Sequence, residues 1–207
     1  MRERFSREEL MNLLRELKNI KPISLPEEIV YNKKLLMKSI WRYYKEGDIE
    51  ATKMLFKEDI KQSLVLAGYL NVSSKDIWNT IEHIFKTKGV EYSGNEDALD
   101  NFKGAEKLIG VTPMQSLLNY KYKHLRSLES IVNGIESVEG TLSRLADDIA
   151  YSVLGIAMCI ATERERKEDY SKKLAREFVK ALKRTLKYEV DKKIPKLETL
   201  KTPYKRT

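Results

Sequence analysis

Apolar residues recur at three- and four-residue spacing along most of this chain, and that period constrains its fold more than any other feature. In the stretch TLSRLADDIAYSVLGIAMCIATERE, Leu142, Leu145, Ile149, Val153 and Ile156 fall on one helical face. No segment alternates convincingly as a strand would. Nine Gly and five Pro are few for 207 residues, and the Leu, Lys, Glu and Ile content favours helix. The expected fold is all-α, a multi-helix bundle with a long basic amphipathic C-terminal helix. A chain of this length buries a continuous core without disulfides or metal staples.

Start and stop signals divide the pattern. Ser6 and Glu9 form an S-x-x-E capping box ahead of Leu10, Leu13, Leu14 and Leu17, a first helix ended by Pro22 and Pro26. A second helix spans about Pro26 to Glu46, stopped by Gly47, and carries Ile29, Leu36, Ile40 and the aromatic cluster Trp41, Tyr43 and Tyr44. Asp48 caps a third, which passes Met54, Leu55, Ile60, Leu64 and Leu66 and weakens near Gly68. Ser73 with Asp76 opens a fourth, with Ile77, Ile81, Ile84 and Phe85 inward. Leu99 to Ile109 forms a short helix stopped by Gly110. Thr112-Pro113-Met114-Gln115 combines an N-cap, a proline at the first helical position and a box glutamine. The helix it starts runs through Leu117, Leu118, Leu125, Leu128 and Val132 to Gly134. The stretch from Thr141 should be the central core helix, and no breaker separates it from the basic helix, although a division near Asp169-Tyr170-Ser171 is conceivable. The sequence reads as free of internal repeats and sustained heptads.

Basicity is concentrated at one end. From Arg164 to Thr207 there are 16 Lys+Arg against 7 Asp+Glu, and the rest of the chain, with 23 and 24, is nearly neutral. Lys173, Arg176, Lys180, Lys183, Arg184 and Lys187 share one helical face, opposite Leu174, Phe178, Leu182, Leu186 and Val190. Such a face either keeps a protein soluble or contacts nucleic-acid phosphates. After Pro195 an extended tail is expected.

Other classes recede. The lone Cys159, in an apolar run, excludes a disulfide framework within the chain and reads as a small buried hydrophobe. Two histidines, His83 and His124, exclude a His-rich metal site. Val153 to Ala161 is shorter than the roughly 20 apolar residues of a membrane span, and the first residues lack a signal-peptide core, so a soluble, cytoplasmic protein with no membrane partner is expected. No Ser/His/Asp constellation or glycine-rich phosphate loop is present.

The segment KGVEYSGNEDALDNF, Lys88 to Phe102, is the candidate place for chemistry. It has no apolar side chain between Tyr92 and Ala98, carries Glu91, Glu96, Asp97 and Asp100, and exceeds the usual helix connection of about 2–8 residues. Carboxylates three or four apart on a helix can hold Mg²⁺, which then bridges nucleotide phosphates; Asp97-x-x-Asp100, Glu136-x-x-Glu139 and Asp147-Asp148 permit this. One of Asp147 and Asp148 should border the core and find a partner such as Arg144, Lys123 or Arg126.

The order K-G-x-E-Y-S-G-N-E-D-x-L-x-N-F from Lys88, G-V-T-P-x-Q from Gly110, Y-K-H-L-x-S-L from Tyr122 and L-A-D-D-I-A-Y from Leu145 resembles phage nucleotide-modification-associated domains. These are relatives or look-alikes of the all-α MazG-type nucleotide pyrophosphohydrolases, and the resemblance covers about residues 77–160. It implies a core bundle over 76–168, with an N-terminal helical segment over 1–75 and the basic helix and tail over 169–207. It further implies a site where Lys123, His124 and Asp147 act catalytically, Tyr92, Asn101 and Phe102 hold a nucleotide, and Glu91, Asp97, Asp100 and Asp147 bind Mg²⁺. Ala150 stands where the family often has Asn, Leu142 and Ser143 where it often has acidic residues, and the paired E-x-x-E helices of active hydrolases are not recognisable. The expected function is Mg-dependent binding or pyrophosphohydrolysis of a nucleotide, in host cytoplasm if viral. The alternative is a non-enzymatic viral accessory protein that binds nucleic acid or a host factor through the basic helix. A homodimer through Trp41, Tyr43, Tyr44 and the C-terminal helix is a further expectation.

Overall fold

The computed structural model describes residues 25–87, 89, 91 and 97–189, together with Ser6, Glu8, Glu9 and Asn12; side chains are described except at 178 and 181–189. The described residues form an all-helical bundle without strands: α1 Pro26–Glu46, α2 Ile49–Tyr69, α3 Ser74–Lys86, α4 Asp100–Ile109, α5 Pro113–Val132 and α6 Gly140–Glu189. The chain makes two compact units, 1–165 and 166–207, so the segment expected as 1–75 and all but the last three residues of that expected as 76–168 share one unit. The apolar residues of the expected first helix and the expected tail lie outside the described residues.

The caps explain most boundaries. Gly47 and Gly110 end α1 and α4 with φ of 81° and 73°, where a residue bearing a Cβ would be strained. Thr112 and Gln115 make the full reciprocal capping box, the Thr112 amide 2.9 Å from Gln115 Oε1 and the Gln115 amide 3.2 Å from Thr112 Oγ1. Ser6 and Glu9 exchange the same pair of bonds. Asp48 accepts from the Ala51 amide. Ser73 is the exception, for its side chain makes no capping bond to α3. Helix α2 continues through Gly68 to Tyr69, and α6 continues through 169–171.

In the first unit, α1 packs on α2 and α5, α4 on α5, and α3 on α2. The proximal part of α6 supplies Leu145, Ala146, Ile149, Val153, Ala157 and Cys159, all fully buried, as a central core helix should. Burial pushes the Cys159 thiol up to about 12, so it is an inert core group. Gly155 lets Phe56 approach: a Cβ there would lie 2.3 Å from the ring. A window within Gly140–Glu177 is, by length and composition, apolar enough to cross a membrane, contrary to the estimate from Val153 to Ala161, and 72% of it is buried in the bundle. Its apolarity is accounted for by the core it fills.

Candidate functional site

A closed ring of four charges occupies the centre of the first unit. Lys33 from α1, Asp59 from α2, Lys121 from α5 and Asp148 from α6 have no exposed side-chain surface. Each ammonium meets both carboxylates: Lys33 Nζ lies 2.7 Å from Asp59 Oδ1 and 2.8 Å from Asp148 Oδ2, and Lys121 Nζ 2.7 Å from Asp148 Oδ1 and 2.6 Å from Asp59 Oδ2. Two hydroxyls complete it, Ser63 donating to Asp148 Oδ2 at 2.6 Å and Ser152 to Asp59 Oδ2 at 2.7 Å. Two positive and two negative groups cancel, which is how the ring survives the several kcal/mol that burying each ion costs. Burial alone would raise the Asp148 carboxyl, but Lys121 and Lys33 hold it well below the carboxylate range. Burial likewise opposes charge on Lys121, yet Asp148 and Asp59 hold its pKa above the ordinary value.

The ring has a hidden regularity. Exchanging Lys33 with Lys121, Asp59 with Asp148 and Ser63 with Ser152 converts its ion pairs into one another. The backbone bonds follow suit: Lys33 donates to the Asp59 carbonyl and Lys121 to that of Asp148. The separations are 26 residues from Lys33 to Asp59 and 27 from Lys121 to Asp148, and each serine follows its aspartate by four. The local sequences agree, K-x-x-x-M-K-S-I at Lys33 with K-x-x-x-L-R-S-L at Lys121, and E-D-I-x-x-S-L-V at Glu58 with D-D-I-x-x-S-V-L at Asp147. Helices α1–α2 and α5–α6 are therefore an internal repeat, which the sequence reading missed.

At the edge of the second repeat, His124 is mostly buried and stacks on Tyr151, ring centres 5.2 Å apart. Tyr151 stacks in turn on the half-exposed Tyr120 at 5.9 Å, and Phe102 meets both tyrosines edge-on. His124 Nδ1 is 3.3 Å from Asp147 Oδ2 and 3.4 Å from Arg144 Nη1. Burial first, then the charges of Arg144 and Lys123, lower the imidazole to about 4, although Asp148 and Glu139 oppose them. The neutral ring can donate to Asp147 or accept from Arg144 at this one nitrogen, not both. Arg144 also pairs with Glu139, and its Nε is buried with no hydrogen-bond partner among the described residues.

Of the residues expected from sequence, the structure brings together Phe102, His124 and Asp147. Lys123 lies close enough to act on His124 electrostatically but is exposed. Phe102 is 2% exposed and serves the core. Asn101, Asp100 and Glu91 are exposed, and Tyr92 lies outside the described residues. Asp97 is engaged locally, accepting from the Leu99 amide at 3.0 Å and pairing with Lys103 at 2.8 Å. No group of three or more His, Cys, Asp or Glu able to hold a metal occurs among the described residues. The expected Mg²⁺ ligands Glu91, Asp97, Asp100 and Asp147 thus do not gather into a metal centre as they stand. Asp148, not Asp147, is the core carboxylate. On α6, Lys173, Arg176 and Lys180 are exposed, while the side chains of Lys183, Arg184 and Lys187 lie outside the described residues.

A groove of about 650 Å³ lies elsewhere, between α1 and α5. Tyr31, Leu35, Met37, Trp41, Leu118 and Tyr122 give it apolar and aromatic walls, and Lys34, Lys38, Gln115 and Asn119 add polar groups. Repeat-equivalent positions recur in its lining, Tyr31 with Asn119 and Lys34 with Tyr122. The charged ring ties the two helices of the groove together, since Lys33 of α1 and Lys121 of α5 share the same two carboxylates. Lys34 reinforces this by pairing with Glu129. Fold and site together define an all-helical bundle in which two helical hairpins are joined by a buried ionic ring, with an open groove where the hairpins meet. No family model, curated protein or solved structure matches this chain.

Proposed function

We propose that this protein binds a nucleotide in the groove between α1 and α5 and that binding, not hydrolysis, is its activity. The lining of that groove carries the reading. Tyr31, Trp41 and Tyr122 offer faces on which a base can stack, Gln115 and Asn119 offer amides for its edge, and Lys38 offers a cation for phosphate, Lys34 being paired with Glu129. About 300–1,000 Å³ is the usual size of a small-molecule site, and junctions between structural units are preferred places for one. The charged groups of the ring are sealed from solvent, and His124 is paired beside Arg144 and Asp147 outside this groove. Binding therefore needs only residues that the groove presents.

The chain has two tryptophans, and they differ in a useful way. Trp78 is 5% exposed in the core, whereas Trp41 lines the groove. Titration with a panel of ribo- and deoxynucleotides should quench Trp41 fluorescence saturably, and Trp41→Phe should abolish the signal. Lys38→Glu should weaken binding about tenfold or more, because a charge-assisted phosphate contact is lost and a repulsion gained. Absence of quenching and of thermal stabilisation by every nucleotide at millimolar concentration, with and without Mg²⁺, overturns the reading.

A further inference from the structure

The second unit carries a feature that the groove does not explain. From Asp169 to Glu177, and at Val179 and Lys180, the side chains of α6 are exposed, apolar ones included: Tyr170 is 68%, Leu174 54% and Val179 50% exposed. At 3.6 residues per turn, Lys172, Lys173, Arg176 and Lys180 fall within an arc of roughly 100°. Tyr170, Leu174, Ala175 and Val179 take the other side, over roughly 180°. Lys172 and Lys173 sit at the two boundaries between the faces. Three acidic groups bear on the basic arc: Glu168 pairs with Lys172 from the apolar side, Asp169 projects from within it, and Glu177 lies one turn beyond Lys173 at its edge. The arc nevertheless stays positive, and the sequence repeats the alternation through Leu186 and Lys187.

We propose that this helix lies on an anionic lipid surface, with the stripe of Tyr170, Leu174 and Val179 entering the acyl boundary and the lysines and arginine meeting the headgroups. The argument is one of matching both faces at once. Nucleic acid would satisfy the cations and leave the apolar stripe in water. A second copy would cover the stripe, but it would bring together two segments that each carry 16 basic residues against 7 acidic ones from Arg164 onward. An anionic bilayer surface accepts an apolar stripe and attracts the cations bordering it. This differs from crossing the membrane, which needs an apolar helix on all sides; here one face is charged.

The test uses the full chain in co-sedimentation with extruded vesicles, either pure phosphatidylcholine or phosphatidylcholine with one quarter phosphatidylglycerol. The protein should partition onto the anionic vesicles, stay off the neutral ones, and release at 0.5 M salt. Replacing two basic residues, Arg176→Gln with Lys180→Gln, should lower the partition coefficient about 30-fold. Leu174→Gln with Val179→Gln keeps every charge and should also abolish binding, without moving the thermal midpoint, because both positions are solvent-exposed. Equal binding to neutral and anionic vesicles, or none to either, overturns the proposal. Binding to a DNA duplex that survives the Leu174 and Val179 changes, with no vesicle binding, reassigns the surface to nucleic acid. A dimer that those changes convert to monomer, again without vesicle binding, reassigns it to self-association.

Discussion

His124 shows how one residue can make this protein sensitive to pH. In an unfolded chain it protonates near the ordinary histidine value of 6.5, whereas in the folded protein burial and the neighbouring Arg144 hold it to about 4. Between these values the unfolded state binds the extra proton, so stability rises with pH through the window and is lost as pH falls from about 6.5 to about 4. Urea unfolding at a series of pH values should show that slope, and His124→Gln should flatten it; parallel curves would remove His124 as the cause. Asp148 acts in a lower window, because its depressed pKa contributes stability above the ordinary carboxylate value and loses it only in stronger acid. From sequence, the Asp147-Asp148 pair was legible as one core and one edge carboxylate. Which was which depends on partners brought from other helices: Asp148 meets Lys33 and Lys121, Asp147 meets His124. The lysines were illegible because lysine is almost never fully buried unless paired. Yet Lys121 falls four residues from both Leu117 and Leu125, squarely on the apolar stripe of α5, and that position was the available signal.

At the level of elements, the caps carried most of the information. Pro26, Gly47, Gly110 and the Thr112 box set boundaries from local chemistry alone, so the sequence reading found α1, α4 and α5 nearly to the residue. Close packing is not local, and Gly155 illustrates the difference. Inside a helix, glycine is about 1 kcal/mol worse than alanine, so sequence alone suggests that Gly155→Ala would stabilise α6. A methyl there would come within 2.3 Å of Phe56 Cζ and 2.5 Å of its Cε1, in a core where Phe56 is fully buried. Overpacking of this kind costs about 1–3 kcal/mol, which offsets or exceeds the propensity gain. Gly155→Ala should therefore leave stability unchanged or lower it by up to about 2 kcal/mol. Gly104→Ala, in α4 with open space around it, should gain up to about 1 kcal/mol. Denaturant melts of the two variants check the contrast, and the double variant Gly155→Ala with Phe56→Leu should recover what the first one lost.

For the whole molecule, the repeat matters because it makes the ring a single unit. Two hairpins, each bringing a lysine on one helix and an aspartate and a serine on the next, meet so that every charge contacts partners from both halves. The acidic loop that looked chemical in sequence does not contribute to this ring in its described parts, with Asp97 accepting from the Leu99 amide and pairing with Lys103. Electroneutrality then predicts a pattern that independent ion pairs would not give. Lys121→Met leaves two buried carboxylates sharing one ammonium, and Asp148→Asn leaves two ammoniums sharing one carboxylate. Each should cost about 3–5 kcal/mol, the range for stranding a buried charge. Combined, they restore neutrality and leave the Lys33–Asp59 pair intact, so the double variant should be more stable than the sum of the single losses by about 2 kcal/mol or more. A double-mutant cycle by urea unfolding measures this directly. Additive losses would mean that the charges are satisfied separately and that the two hairpins are not locked through the ring. Because the same ring ties together α1 and α5, the two helices of the groove, the single variants should also weaken ligand binding there, and the neutral double variant should restore part of it.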